Sequence, residues 1–255
     1  MKRSERHHLK ENELATSVAR AKETFEEKKR EIIAGAIVVA AILGAVGGYF
    51  FWRSQVDSAS RAMLSEALAI ADAPVVPPAA APAPGSPAPS TPPPGPPPGS
   101  YRTEQAKLKA ALGKFLAAAD RYPSTTSGIA ARYQAAATLA ALGRNAEAMT
   151  RYKEVIERAG DSIYGDSARL GLATAEALAG QYDASIAAYK ELSARKDGKI
   201  PVDGVLMQLG RTYAMAGKNA DALRTFQRIV DEFPQSGYAQ AARREVDNAK
   251  APGAN

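Results

Sequence analysis

The chain contains no cysteine. That excludes structural disulfides and thiolate metal sites, and leaves the compartment open. Histidine is almost missing as well. His7 and His8 are the only two; neighbours in sequence point to different sides of a helix, so they make a poor metal pair and are read as a solvated tail. No paired carboxylates or metal-ligand cluster fall on one helix face. The glycines are not followed by Lys-Ser or Lys-Thr, as a phosphate loop requires. A concentrated basic patch is also lacking. The net charge of +6 divides into nine Lys/Arg against seven Asp/Glu over residues 1–31, and 22 against 17 over residues 100–255. That is a mixed solvated surface, not a groove for a phosphate backbone. The expectation is a chain that is no enzyme, takes no cofactor or metal, and binds no nucleic acid.

What is present begins with residues 1–31, a dense mixture of charge. Leu14, Val18, Ala21 and Phe25 fall at helical steps and draw a thin apolar stripe. The segment reads as a cytosolic arm, a membrane-proximal helix in preference to a docking helix. Residues 32–52 then run for 21 positions without a charge. At about 1.5 Å per residue they reach roughly 30 Å, the thickness of a bilayer's hydrocarbon core. Tyr49, Phe50, Phe51 and Trp52 close the run as an interfacial aromatic belt does. A cleaved signal peptide fits less well, because the charged region ahead is too long and the apolar run exceeds the usual length. The basic residues ahead of the span outnumber Arg53 and Arg61 behind it, so the positive-inside rule puts the N-terminus in the cytoplasm and everything after residue 53 outside. Within the span, Ala36, Ala40, Gly44 and Gly48 stand four apart, a stripe of small residues that lets a second helix approach closely, either in a homo-oligomer or on a multi-span partner.

Residues 53–72 read as a juxtamembrane helix. Residues 73–99 change character: thirteen of the 27 are proline and none is charged. Proline at this density favours polyproline II, which at about 3.1 Å per residue would reach roughly 80 Å. The segment is expected to be a spacer, in preference to a ligand for polyproline readers.

From residue 100 onward the chain repeats. Phe115, Tyr152, Tyr189 and Phe226 are 37 residues apart. A small residue lies four before each: Ala111, Ala148, Ser185, Ala222. An apolar one lies three after: Ala118, Val155, Leu192, Ile229. That spacing is one face of a helix. Gly143, Gly180 and Gly217 stand nine ahead of the later aromatics and mark the turn before that helix. Each unit is therefore a helix–turn–helix pair. The pairs are expected at about 129–142 with 145–158, 164–179 with 182–194, and 202–216 with 219–232, followed by a polar closing helix from about 236 to 249. A lone helix at about 103–121 precedes them, and residues 53–72 are the candidate for its missing partner. No pair buries its apolar face alone; stacking the neighbours makes the core.

These residues resemble the tetratricopeptide repeat. The last unit is the closest, with Leu206, Leu209, Gly210, Tyr213, Gly217, Ala222, Phe226 and Pro234 at that family's spacings. The middle unit keeps Leu172, Ala173, Gly180, Ser185 and Tyr189 but has Glu176 where a tyrosine is usual. The first keeps Ala136, Gly143, Ala148 and Tyr152, with Leu139 at the tyrosine position. The family period is 34, so each unit carries about three extra residues, expected between units. The implied fold is all-α: a single transmembrane helix plus a tetratricopeptide-like α-solenoid over 100–255.

The resemblance further implies a groove lined by the first helix of each pair, at Tyr133, Ala137, Leu170, Thr174, Met207 and Arg211, joined by Gln134, Gly171, Gln208, Ala141, Leu178 and Met215. The subclass that grips a peptide's terminal carboxylate has Lys and Asn at several of these places; here they are mostly small or apolar, which suits an unfolded or helical protein segment better. The whole plan of arm, span and outer repeat domain resembles the ancillary subunit of the bacterial Sec translocon. That resemblance implies an inner-membrane protein with a periplasmic repeat domain, whose partners are translocon subunits or periplasmic chaperones. An envelope-organising structural protein is the alternative.

Overall fold

Among the described residues of the computed structural model there are nine helices: α1 (Arg3–Ala71), α2 (Glu104–Arg121), α3 (Thr126–Ala141), α4 (Asn145–Ala159), α5 (Ile163–Leu178), α6 (Tyr182–Ala194), α7 (Val202–Met215), α8 (Asn219–Glu232) and α9 (Ala239–Lys250). The structure describes residues 3–77, 95, 97–195 and 197–250, with side chains described from Lys29 onward save Ile32 and Lys250. The apolar stripe of Leu14, Val18, Ala21 and Phe25, the His7–His8 pair and most of the proline-rich segment lie outside the described residues or side chains.

The chain divides into two compact units, Met1–Gln55 and Val56–Asn255. In the first, the expected arm and span are one unbroken helix, α1. No proline occurs between residues 3 and 71 to interrupt its hydrogen bonds. Its stretch Lys29–Ala71 includes a window long and apolar enough to cross a membrane, with none of that window buried. Ile37, Leu43, Phe51 and Trp52 are all well exposed. Tyr49 meets Phe50 edge-on and Trp52 at a tilt, at centroid distances of 5.9 and 6.4 Å. A Cβ added at Gly44 or Gly48 would meet nothing within 4 Å.

The second unit begins inside α1, well before residue 100. Ala67 is fully buried in the same cluster as Ala111, Leu112 and Phe115 of α2, with Met63, Leu64 and Leu68 packed against it. Lys114 Nζ pairs with Glu66 Oε1 at 2.6 Å. The tail of α1 thus takes the place of α2's missing partner. The proline-rich segment is not the long spacer its composition suggests. Val75 and Tyr101 form a parallel bridge: Val76 N–H donates to Tyr101 O at 2.8 Å, and Tyr101 N–H to Pro74 O at 3.0 Å. The two ends of the segment meet, so it adds no reach between α1 and α2.

Three helix pairs follow, and each turn is built the same way. Gly143, Gly180 and Gly217 have φ of +74°, +77° and +71°. In each, the residue after the glycine donates its N–H back to the carbonyl five before it (Arg144 to Leu139, Gln181 to Glu176, Lys218 to Tyr213), at 2.8 to 2.9 Å. This is the Schellman stop, and it needs a residue tolerant of positive φ. The repeating aromatics, with the small residues before them and the apolar ones after, are all buried. At roughly 1.5–3 kcal/mol for each large side chain, this stripe is the main favourable term holding the stack.

The extra length of each unit is not spent alike. The first pair places it in helices of 16 and 15 residues, with only residues 160–162 before α5. The later pairs have longer connections, 195–201 and 233–238. An aspartate in the first turn of the preceding α5 or α7 fastens each of these. Asp166 Oδ2, buried, accepts from Lys199 N–H at 2.9 Å, and Asp203 Oδ2, half-buried, accepts from Ser236 Oγ at 2.5 Å. The helix α3 starts three residues earlier than periodicity suggests, because Thr125 Oγ1 caps it by accepting from Gly128 N–H at 3.0 Å.

Candidate functional site

The first helices of successive pairs touch one another, α3 with α5 and α5 with α7, whereas among the described residues the second helices make no contact of that extent. The side carrying α3, α5 and α7 is therefore the inner one. This side holds a recess of about 380 Å³ between α5, α7 and α9. Thr174 and Leu178 line it from α5, Gln208, Arg211 and Met215 from α7, and Glu245 from α9. Behind them stand Tyr189 and Phe226, the repeating aromatics of the second helices. Leu178 is 59% exposed and Met215 48%, unusual for large apolar side chains in a unit that buries its other periodic ones.

Of the groove residues expected from sequence, Thr174, Leu178, Gln208, Arg211 and Met215 come together at this recess. Thr174 Oγ1 lies 2.8 Å from Tyr189 Oη, and burial raises the pKa of that phenol. The others are placed differently. Tyr133 is half-buried, its ring 6.0 Å from Tyr152 and 6.3 Å from Tyr164, and burial raises its pKa too. Leu170 packs against the second core cluster, and Ala137 is half-buried in α3. Met207 does not face the groove: it is 1% exposed, inside the core with Val205 and Leu206. Its neighbour Gln208 has the inward position instead, because a step of one residue turns about 100° around a helix. Gly171 serves packing, since a Cβ there would come within 2.4 Å of the Tyr152 ring.

Glu245 has no counterpart among the groove residues expected from sequence. A signal for it exists: it stands 37 after Gln208, so the closing helix continues the inner row of the repeats. Arg211 and Glu245 line the same recess without pairing, and among the described residues neither has a hydrogen bond or ion pair. The neighbouring arginines differ. Arg169 and Arg195 share Asp161 and the buried Asp166, Arg195 Nη1 reaching Asp166 Oδ1 at 2.7 Å. Arg224 and Arg228 pair with Asp221 and Glu232 on their own helix. Among the described residues no group of three His, Cys, Asp or Glu is arranged to hold a metal ion.

This geometry defines an α-solenoid of stacked helix pairs with an open inner face. Residues 130–162 and 205–236 match the tetratricopeptide repeat family. Two solved structures share the fold. One is the crystal structure of the Podosopora anserina kinesin light chain nearly identical TPR-like repeats, at TM-score 0.50 and 14% identity, covering 57% of this chain and 79% of that one. The other is a form of the same repeats with methionine in place of one glutamine, at TM-score 0.50 and 15% identity, covering 57% and 78%. At such identity the likeness concerns the fold alone. No curated protein matches the chain. Residues 130–162 and 205–236 are thus similar to tetratricopeptide repeats.

Proposed function

We propose that the chain is a single-span membrane protein whose repeat unit is a docking scaffold for other protein chains. The observation that carries this reading is the inner recess: Leu178 and Met215 stand exposed beside an unpaired Arg211 on the open face of tetratricopeptide repeats, a fold that generally binds protein or peptide segments. Exposed apolar side chains on a rigid inner surface gain free energy when a partner covers them.

In the finer reading, residues 32–52 cross the inner membrane with the N-terminus in the cytoplasm. The repeat unit lies in the periplasm, and its partners are translocon subunits or periplasmic chaperones. The stripe Ala36, Ala40, Gly44 and Gly48 seats a second membrane helix.

A photo-crosslinking residue at Leu178 or Met215, read by mass spectrometry, tests the docking role. The expected result is capture of membrane-embedded or membrane-bound partners from the recess and not from Gln227 on α8. Equal capture from both positions refutes the groove. Protease added outside intact spheroplasts tests the orientation: cleavage beyond Arg53 is expected, and complete protection overturns the periplasmic assignment.

A further inference from the structure

The recess has a chemical asymmetry that narrows what it takes. Across the inner positions of α3, α5 and α7, the side chains are Gln134, Ala137, Ala141, then Gly171, Thr174, Leu178, then Gln208, Arg211, Met215. Arg211 is the one charge among them. It is exposed and unpaired, while the arginines nearest in sequence on either side, Arg195 and Arg224, hold carboxylates. One turn along α7, and across on α5, Met215 and Leu178 form the apolar wall. The carboxylate of Glu245 lines the same recess from α9 without coming within ion-pair distance of Arg211. An unpaired guanidinium over an apolar floor presents planar donors that suit a carboxylate, and the low-dielectric floor strengthens that bond. At about 380 Å³ the recess lies at the small end of binding pockets, with room for anchoring side chains but not for a whole segment.

Resting on the docking reading above, we propose that the α5–α7–α9 recess takes an amphipathic protein segment that seats apolar side chains between Leu178 and Met215 and pairs one acidic side chain with Arg211. Glu245 at the α9 end turns away a second acid, so the partner carries a single acidic residue beside its apolar anchors. The recognition is set by side chains within the segment and does not need its terminus.

The test is a displayed library of random twelve-residue peptides, selected on the full chain in lipid nanodiscs after depletion on empty nanodiscs. The enriched peptides are then measured on variants. The expected consensus is two apolar residues with one Asp or Glu. Its members bind about tenfold or more weakly to Arg211→Glu, and a peptide with Lys in place of the acid regains affinity for that variant, which also shows the variant to be folded. Loss of that regain overturns the charge pairing. Binding lost on Leu178→Asp or Met215→Asp but indifferent to Arg211→Glu leaves the docking groove standing and overturns this inference. No enrichment, or binding indifferent to all three substitutions, overturns both.

Discussion

Replacing Gly165 by alanine should unfold the repeats at lower temperature, against the ordinary preference of a helix for alanine. Gly165 lies in the first turn of α5, where a Cβ would sit 1.9 Å from Gly160 O and 2.9 Å from Gly160 C. Ordinary contacts are about 3.5–4.0 Å, so the 160–162 connection must move by more than about 1 Å. It is not free to do so. Ser162 Oγ accepts from Gly165 N–H at 3.3 Å, and Arg169 Nη1 donates to Gly160 O at 3.0 Å. Losing the cap costs about 1 kcal/mol, losing the charged hydrogen bond about 1.5–3, and the overpacking about 1–3. The gain of alanine over glycine in a helix returns only about 1 kcal/mol. The net expectation is about 2.5–6 kcal/mol of destabilisation, a fall of roughly 5–24 °C in the midpoint for a unit of this size. Gly113→Ala in α2 is the control, because a Cβ there meets nothing within 4 Å; it should gain about 1 kcal/mol. Thermal unfolding of the full chain in detergent micelles, followed by circular dichroism, reads both. A Gly165→Ala protein as stable as the parent, or a Gly113→Ala protein less stable, would refute the reasoning.

Other expectations follow from the same structure. Asp166→Ala takes the buried acceptor away from Arg169, Arg195 and the Lys199 N–H, and should cost about 1.5–3 kcal/mol in a denaturant titration. Met207→Ala should cost about 2–5 kcal/mol yet leave crosslinking from Met215 unchanged, as a core residue would. Acid should loosen the α2–α3–α4 contacts. Burial opposes the charge of Glu154, but hydrogen bonds from Arg132 and Arg151 outweigh it and hold its pKa below the ordinary value. Stability from a lowered carboxylate is present above its unfolded pKa and lost as pH falls through the folded one. Glu154→Gln should therefore flatten the fall in melting temperature below the ordinary glutamate range, and an unchanged slope would count against the pairing. Cysteines at Val75 and Tyr101, introduced into a chain that has none, should oxidise readily to a disulfide, read by gel shift, since bridged positions lie within disulfide reach.

The helix pairs were legible in the sequence because their signals are local: an apolar face at helical spacing, and a glycine where φ must be positive. What eluded it was set by contacts between distant residues. The meeting of Pro74 and Val76 with Tyr101 leaves no periodicity behind, so composition alone suggested an extended spacer. The misplacement of Met207 has a different cause. In α7, Val205, Leu206, Leu209 and Tyr213 are buried along with it, and only a narrow strip through Gln208, Arg211 and Met215 stays open. A helix covered on most of its circumference has its orientation fixed by its neighbours.

The clasp at Tyr101 has an evolutionary corollary. With its two ends tied, the proline-rich stretch can lengthen or shrink without shifting any helix of the stack. Each doubling of its size costs only about 0.6 kcal/mol in closure entropy. Descendants of one ancestral sequence are therefore free to vary most at this point, while the helices on either side stay locked in phase.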